Sequence, residues 1–397
     1  MIDFFARIFI KDYEQVDNAE VRAQYGLLCG KLGIFFNLLL FVIKFFSGFV
    51  SGSISILTDA FNNLSDIGSS VVMMVGFRLS SEKPDNEHPF GHGRIEYVTG
   101  LIVAIIIILM GAELVKTSVT KILSPTDVSL SGSTALLLIA SIVIKLFMYG
   151  YNISAAKKLN SQAMRGVALD SFVDSVATSV VLLTLLVGEF TGLRIDGWCG
   201  LLVALFILFS GFSAAKDTID PLLGTGIEKG FADRIEMFVT SFDGILGVHD
   251  LIVHDYGPGR MMISLHAEVP ADGDMVELHD TIDNIERKLK ETLGCMAVIH
   301  MDPVVVNDEK RDNTKKAVDL LLSSISKELT MHDFRMVEGP THTKLIFDVV
   351  VPFDYEATDE EIRAQIQEKV AQLPGDFYAV VDIDKPFVKK EESRDER

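Results

Sequence analysis

Two apolar stretches decide the fold of this chain: SILTDAFNNLSDIGSS at residues 55–70 and AMRGVALDSFVDSVAT at residues 163–178. Each stretch contains a polar pair spaced four residues apart. The pairs are Asn62 with Asp66 and Asp170 with Asp174. In a helix of 3.6 residues per turn, such a pair lies on one face. A carboxylate at bilayer depth costs about 2.5–3.5 kcal/mol on insertion scales, so three of them predict a divalent cation in a membrane site of oxygen ligands.

The composition narrows the class of protein. The chain has 397 residues, of which 49% are hydrophobic, and its mean hydropathy of +0.33 is too high for an ordinary soluble protein of this length. From Glu228 onward, 20 Lys and Arg face 36 Asp and Glu, so most of the net charge of −19 lies in the second half. This acidity argues against a nucleic-acid partner.

Motif searches exclude several kinds of chemistry. The three cysteines are far apart and lack a CxxC spacing, so neither a disulfide framework nor a thiolate metal site is expected. The sequence has no phosphate-binding glycine loop, no nucleophile elbow and no HExxH motif. We therefore expect neither an enzyme nor an ATP-driven pump, and no organic cofactor.

Six segments are long enough to cross a hydrocarbon core about 30 Å thick, which needs roughly 20 residues. They are Leu32–Val50, Ile54–Leu79, Tyr97–Ile122, Thr134–Leu159, Gln162–Phe190 and Asp196–Ala215. The second and fifth carry Ser, Asn and Asp, so we expect them to face the interior of a helical bundle. Basic residues are concentrated on the side of the N-terminus, whereas the opposite side has Lys116, Lys121 and Arg194. The positive-inside rule predicts a multi-pass protein of the cell membrane with both termini in the cytoplasm.

A soluble region follows the last span. Its first part has the order helix, strand, strand, helix, strand, which predicts a small α+β sandwich. The residues after Val304 repeat this order, and HDF at 332–334 echoes HDL at 249–251. We divide the chain into a six-helix membrane domain (1–216), a first soluble unit (217–304), a second soluble unit (305–388) and a charged, disordered tail (389–397).

The two polar pairs contain no histidine or cysteine. Carboxylate and amide oxygens suit hard cations such as Mn²⁺ or Mg²⁺, whereas imidazole favours Zn²⁺. The alternative is that the carboxylates pair with Lys44 or Lys145 of other spans, or cap broken helices. Asp59 lies seven residues before Asp66 and shares its face, so it is an entrance or packing residue, or a further ligand.

Two further sets of candidate ligands lie outside the spans. In the loop after the second span, Asp85, His88 and His92 could hold a metal, and a solvated polar loop is the alternative. The first soluble unit contains five of the nine histidines of the chain. The candidate ligands there are His249, His266, His279, His300 and Asp302, and histidines dispersed over the surface are the alternative.

The second soluble unit differs at the aligned positions. Asp348 and Asp382 stand where the first unit has His266 and His300. We therefore expect no equivalent imidazole cluster there, and either a harder ion on carboxylates or no ion at all.

Several motifs, in order, resemble those of the cation diffusion facilitator family. They are SGSISILTDAFNNLSD in span two, HPFGHGRIE after it, SQAMRGVALDSFVDS in span five, and GVHDLIVHDYGPG and IHMDP in the soluble part. The resemblance covers about residues 20–303. It implies a homodimer of six-span protomers, each with a cytoplasmic ferredoxin-like domain, that exports divalent metal in exchange for protons.

The same resemblance assigns roles to residues. Zinc-transporting members have His or Asp at the position of Asn62 and His at that of Asp170, so this chain resembles the manganese-transporting branch, with iron and cobalt left open. Asp85, His88 and His92 fall on the family's loop site. The five candidate ligands of the first soluble unit fall on its cytoplasmic dinuclear site. The second soluble unit receives no role.

The expected fold is that of a mainly α membrane protein: a six-span transmembrane helical domain followed by a duplicated α+β ferredoxin-like cytoplasmic domain. The expected function is proton-coupled efflux of Mn²⁺ by alternating access, with metal and protons competing for the same carboxylates. The alternatives are an exporter of Fe²⁺, Co²⁺ or Zn²⁺ from the same family, a membrane metal sensor without flux, and a passive channel.

Overall fold

The fold is described from a computed structural model. It covers the chain except for residues 1, 17, 52–53, 125–131, 192, 194, 307 and 389–397, and the side chains at 48, 50, 51, 54–59, 65, 133 and 196. The predicted tail at 389–397 and the side chain of Asp59 therefore lie outside the described residues. The chain divides into two compact units.

The first unit comprises Met1–Thr225 and Asp255–Arg260. Its helices are α1 (Ile2–Phe9), α2 (Ala19–Ser51), α3 (Ile54–Ser80), α4 (Ile95–Leu123), α5 (Gly132–Leu159), α6 (Gln162–Thr191) and α7 (Asp196–Leu223). Helix α2 packs against α3, α4 against α7, and α5 against α6. Long helices thus occupy all six segments that were predicted to span.

Five of these helices, among the described residues, are long and apolar enough to cross a membrane: α2, α4, α5, α6 and α7. Helix α3 is not among them because its sequence includes Asn62, Asn63, Asp66 and several serines. Asn63 and Asp66 are buried in the unit. Helix α3 therefore turns polar groups inward, which is how an intramembrane polar residue avoids lipid.

Glycines of α2 allow α3 to approach closely. A Cβ atom at Gly30 would lie 2.2 Å from Met74 Cγ, and one at Gly33 would lie 2.4 Å from Ser70 Oγ. Small residues at such crossings let two helix backbones pack together in a membrane protein. This packing fixes the position of the α3 face that carries Asp66.

The second unit comprises Gly226–His254 and Met261–Arg397. Its elements are α8 (Lys229–Thr240), β1 (Gly247–Asp255), β2 (Met261–Pro270), α9 (Met275–Leu293), β3 (Cys295–Val304), α10 (Glu309–Ile325), β4 (Thr330–Glu338), β5 (Thr343–Val350), α11 (Asp359–Val370) and β6 (Phe377–Asp384). We call α8 to β3 the first module and α10 to β6 the second module. The sheets have the orders β1-β2-β3 and β4-β5-β6, and the last strand of each is parallel to the middle one.

Strand alternation places the candidate ligands. In β2, Leu265 and Ala267 are buried in a core shared with α8 and α9, so His266 between them lies on the opposite face. In β5, Phe347 and Val349 are buried in the same way, and Asp348 lies on the opposite face. Each sheet therefore presents polar side chains on the face away from its helices.

The two modules share an unusual backbone feature. Asp250 and Asp333, which follow His249 and His332, have φ angles of 53° and 51°. Such left-handed conformations are uncommon outside glycine, and aspartate is one of the residues that tolerate them. The matching positions support the alignment of the two modules made from the sequence.

Candidate metal centres

Three carboxylates converge between two helices of the first unit. One oxygen each of Asp66 in α3 and of Asp170 and Asp174 in α6 lies within 4.8 Å of the others. Asp66 and Asp170 are 7% and 4% exposed, and the Asp174 side chain is 18% exposed. The spacing of four residues in α6 produces this arrangement because it puts both aspartates on one helix face.

Lys145 of α5 reaches the same cluster. Its Nζ donates to Asp66 Oδ2 at 2.7 Å and to Asp174 Oδ2, and its side chain is 4% exposed. Pairing with Lys145 was the alternative to a cation site, and the structure shows this pairing for Asp66 and Asp174, with all three carboxylates still at one point. Asp170 Oδ1 is buried without a hydrogen-bond partner. When all four groups are ionised, the cluster carries a net charge of −2, which one divalent cation would neutralise.

Asn62, the fourth predicted ligand, lies one helical turn before Asp66. Its side chain is exposed in the single chain, whereas the neighbouring Asn63 is 2% exposed. The carboxylate cluster therefore groups three of the four residues of the predicted site.

The loop between α3 and α4 brings Asp85, His88 and His92 together without a helix. His88 Nδ1 lies 3.6 Å from Asp85 Oδ1 and His92 Nε2 lies 3.5 Å from Asp85 Oδ2. Backbone N–H groups of His88 and Glu87 donate to Asp85 Oδ1 at 2.6 and 2.9 Å, and these bonds lower the pKa of Asp85. His92 Nδ1 is buried and unpartnered, so the group has free ligand capacity.

The turn Asp255–Arg260, which belongs to the same compact unit, braces this loop. Tyr256 stacks on Phe90 with 4.4 Å between the ring centroids, and Arg260 Nη2 donates to the Glu82 carbonyl at 2.8 Å. Gly91 adopts a φ of 81° where a Cβ would lie 1.9 Å from Arg260 Nη1. The close approach explains a glycine at this position.

The first module gathers three of its predicted ligands around Asp302. Asp302 Oδ2 lies 2.9 Å from His266 Nδ1 and 3.1 Å from His249 Nε2, and Asp302 Oδ1 lies 3.4 Å from His300 Nε2. In the ladder, His266 of β2 is paired with His300 of β3. His279 lies apart on α9: its side chain is 64% exposed and its Nδ1 is 3.6 Å from Asp283.

The donor set of the first module fits a resident divalent metal. The His249 side chain is 8% exposed, and its Nε2 has no partner with hydrogen-bond geometry. Burial opposes a charge on His249, but the nearby Asp250 and Asp302 carboxylates outweigh it and raise the pKa of the imidazole. Imidazole and carboxylate together suit borderline cations such as Zn²⁺ and Fe²⁺.

A further group contains Asp348, which the sequence analysis named as a possible carboxylate ligand, and three residues that it did not name as ligands. Asp250 of the first module and His332, Asp348 and Asp384 of the second each offer one ligand atom within 4.8 Å of the others. Burial raises the pKa of Asp348 to about 6, and burial together with the nearby Asp250 carboxylate raises that of Asp384. The sequence contained a signal, because Asp348 aligns with His266 and Asp384 with Asp302.

Models of known protein families match two segments of the chain. A family model described as the cation efflux transmembrane domain matches residues 31–223, and one described as the cation efflux protein cytoplasmic domain matches residues 228–304. The chain belongs to the cation diffusion facilitator family. It is a membrane transporter of the cation efflux type whose substrates are divalent metal cations. The second module lies outside both matched segments.

Two relatives illustrate the extent of the similarity. An uncharacterized transporter of Methanocaldococcus jannaschii is 32% identical over 274 residues, which cover 69% of this chain and 96% of the relative. The cation-efflux pump FieF of Escherichia coli is 29% identical over 276 residues, covering 69% of this chain and 92% of the relative. Both matches leave about a third of this chain uncovered.

Proposed function

We propose that the chain exports Mn²⁺ from the cytoplasm in exchange for protons, and that Asp66, Asp170 and Asp174 bind the transported ion. The observation that carries this proposal is the convergence of three buried carboxylates from two helices. An all-oxygen site without imidazole or thiolate favours a hard cation such as Mn²⁺ over Zn²⁺. Asn62, one helical turn before Asp66, completes the proposed ligand set, and Asp59 is an accessory candidate.

Charge balance explains why the site would exchange a metal ion for protons. When Lys145 pairs with the cluster, the three carboxylates still leave an excess of two negative charges. Either one Mn²⁺ or two protons would neutralise this excess. A site that must stay neutral in low-dielectric surroundings therefore releases metal when protons arrive and releases protons when metal arrives. Because Lys145 holds Asp66 and Asp174 at hydrogen-bond distance, metal entry requires the ammonium to withdraw from at least one of them.

We also propose the oligomeric state of the protein, its location and its further metal sites. The family resemblance and the excess of basic residues on one side support a homodimer in the cell membrane with both termini in the cytoplasm. In the first module, His249, His266, His300 and Asp302 would hold a resident divalent metal. That metal would supply positive charge linking β1, β2 and β3. Asp85, His88 and His92 remain candidates for a loop site.

Flux through the unmodified protein tests the proposal. The full chain would be reconstituted in proteoliposomes and loaded with Mn²⁺, Fe²⁺, Co²⁺ or Zn²⁺ in turn, with and without a proton gradient. We expect Mn²⁺ flux that is fastest among the four metals and that stops when a protonophore removes the gradient. Faster Zn²⁺ or Fe²⁺ flux would assign the other metal, flux insensitive to the gradient would indicate a channel, and binding without flux would indicate a sensor.

A further inference from the structure

The second module supplies three metal-ligating side chains at one place. His332 lies on β4, Asp348 on β5 and Asp384 at the end of β6, so each strand of the sheet contributes one. Asp250 from the first module completes the group, and one ligand atom of each residue lies within 4.8 Å of all the others. The group therefore joins two modules that are separate in sequence.

His332 occupies the centre of the group. Its Nε2 lies 3.4 Å from Asp250 Oδ1 and 3.4 Å from Asp384 Oδ2. The side chains of His332, Asp250 and Asp384 are 16%, 29% and 40% exposed. The donors are thus partly buried and partly open to solvent.

Unpartnered nitrogen atoms provide a second line of support. His332 Nδ1 is buried without a hydrogen-bond partner, and so is Nε2 of His249, whose side chain is 8% exposed. The His249 and His332 rings lie 5.1 Å apart, and both belong to a ligand group with Asp250. Buried polar atoms are nearly always satisfied, so a histidine whose Nδ1 has no partner while its Nε2 faces two carboxylates points to a missing ligand.

The charges of this group favour a bound cation. Three carboxylates face one another here, and within the described part of the chain their ion pairs are made with histidines, with no lysine or arginine among them. The carboxylate cluster between α3 and α6 is different, because Lys145 balances part of its charge. Close like charges repel strongly when partly buried, so a bound cation would stabilise this group of carboxylates.

We propose that Asp250, His332, Asp348 and Asp384 bind a divalent cation that joins the two modules. Three carboxylate oxygens and one imidazole suit Mn²⁺ or Fe²⁺, which complete their coordination with water. Three of the four ligands lie after residue 304, beyond the segments that match the family models. The site is a property of this chain's additional module and does not depend on the proposed transport.

Mn²⁺ counting on the purified full chain tests the site. The number of bound ions would be measured by equilibrium dialysis with paramagnetic resonance detection of free Mn²⁺. We expect Asp348→Asn and His332→Gln each to bind one ion fewer than the unmodified chain. Asp376→Asn is the matched control, because Asp376 is an exposed aspartate of the same module, and it should keep the full number. The full number in both Asp348→Asn and His332→Gln would overturn the proposal.

A second measurement needs no variant and so does not depend on how the variants fold. Hydrogen exchange of the unmodified full chain would be followed by mass spectrometry with and without Mn²⁺. We expect Mn²⁺ to slow exchange at least about tenfold in peptides covering β4 and the ends of β5 and β6, since a bound ion suppresses local opening. Unchanged exchange throughout the second module at saturating Mn²⁺ would contradict the proposed site.

Discussion

The two units of this protein build acidic clusters by different means. Between α3 and α6, buried aspartates are balanced by a lysine from α5, and the cluster contains no histidine. On the strands of the second unit, aspartates are accompanied by histidines, and several members are partly exposed: His266 is 38% and His300 68% exposed. The difference follows from the surroundings, since water can screen a charge at a strand surface but not within an apolar helical bundle.

The comparison of the two kinds of cluster distinguishes a site suited to transport of an ion from a site suited to its retention. A cluster that already contains its own cation can pass an ion on, because the lysine can return when the ion leaves. A cluster whose donors are histidines and carboxylates, with no competing ammonium, is suited to retain an ion. Variants of each kind of cluster test this distinction.

Replacing Lys145 by methionine should break the balance of the helical cluster. Removing one partner of a buried ion pair typically costs about 3–5 kcal/mol, because the remaining charges are left uncompensated. Thermal unfolding of the full chain in detergent should therefore occur at a clearly lower temperature. Mn²⁺ should raise the midpoint of Lys145→Met more than that of the unmodified chain, because the metal replaces the missing ammonium.

Lys116→Met is the control for that experiment. Lys116 pairs with Glu113 at 3.3 Å, but their side chains are 75% and 67% exposed. An exposed pair contributes about 0–1 kcal/mol, so its loss should barely change the unfolding midpoint. Equal shifts for Lys145→Met and Lys116→Met would show that Lys145 does not balance the aspartates.

Replacing His266 by glutamine should weaken metal retention by the first module. His266 Nδ1 lies 2.9 Å from Asp302 Oδ2, and loss of a ligand or its orienting partner typically lowers affinity by about 10–100-fold. Metal titration of the full chain would measure this loss. His342→Gln changes an exposed histidine of the second unit and should leave the affinity unaltered; an equal loss in both variants would refute the role of His266.

Replacing Asn62 by histidine should have the smallest effect, a change of metal preference. An imidazole one turn before Asp66 should shift the flux ratio toward Zn²⁺ by about tenfold, because Zn²⁺ favours nitrogen ligands. Competitive flux of Zn²⁺ against Mn²⁺ in proteoliposomes measures the ratio, and Asn62→Gln keeps the amide as a control. An unchanged ratio would mean that Asn62, exposed in the single chain, does not contribute to selectivity.

Helix positions and family membership could be predicted from the sequence because both depend on local information. Apolar runs of sufficient length lie in α2 and in α4 to α7, and the motifs around Asp66 and Asp174 occur in the family's order. The helical repeat also places Asp170 and Asp174 on one face of α6 whatever the neighbouring helices are.

The partners across helices and strands could not be predicted in the same way. Lys145 was one of two candidate lysines, and its meeting with Asp66 depends on how α5 packs against α6 and α6 against α3. The group around His332 depends on the arrangement of the two modules, which strand patterns do not encode. His279 could have joined the other histidines by count, but its position on α9 turns it toward Asp283. Long-range packing decides these cases.

Mn²⁺ flux of the Asp174→Ala variant is the strongest test of the proposed transport site. Asp174 is the carboxylate that accepts from Lys145 and meets both Asp66 and Asp170, so its removal should lower Mn²⁺ transport by at least about 100-fold. Glu189→Gln changes an exposed carboxylate of the same helix and should transport Mn²⁺ as the unmodified chain does. The account predicts no gradient-driven Mn²⁺ flux for folded Asp174→Ala in proteoliposomes, and flux at the unmodified rate would contradict it.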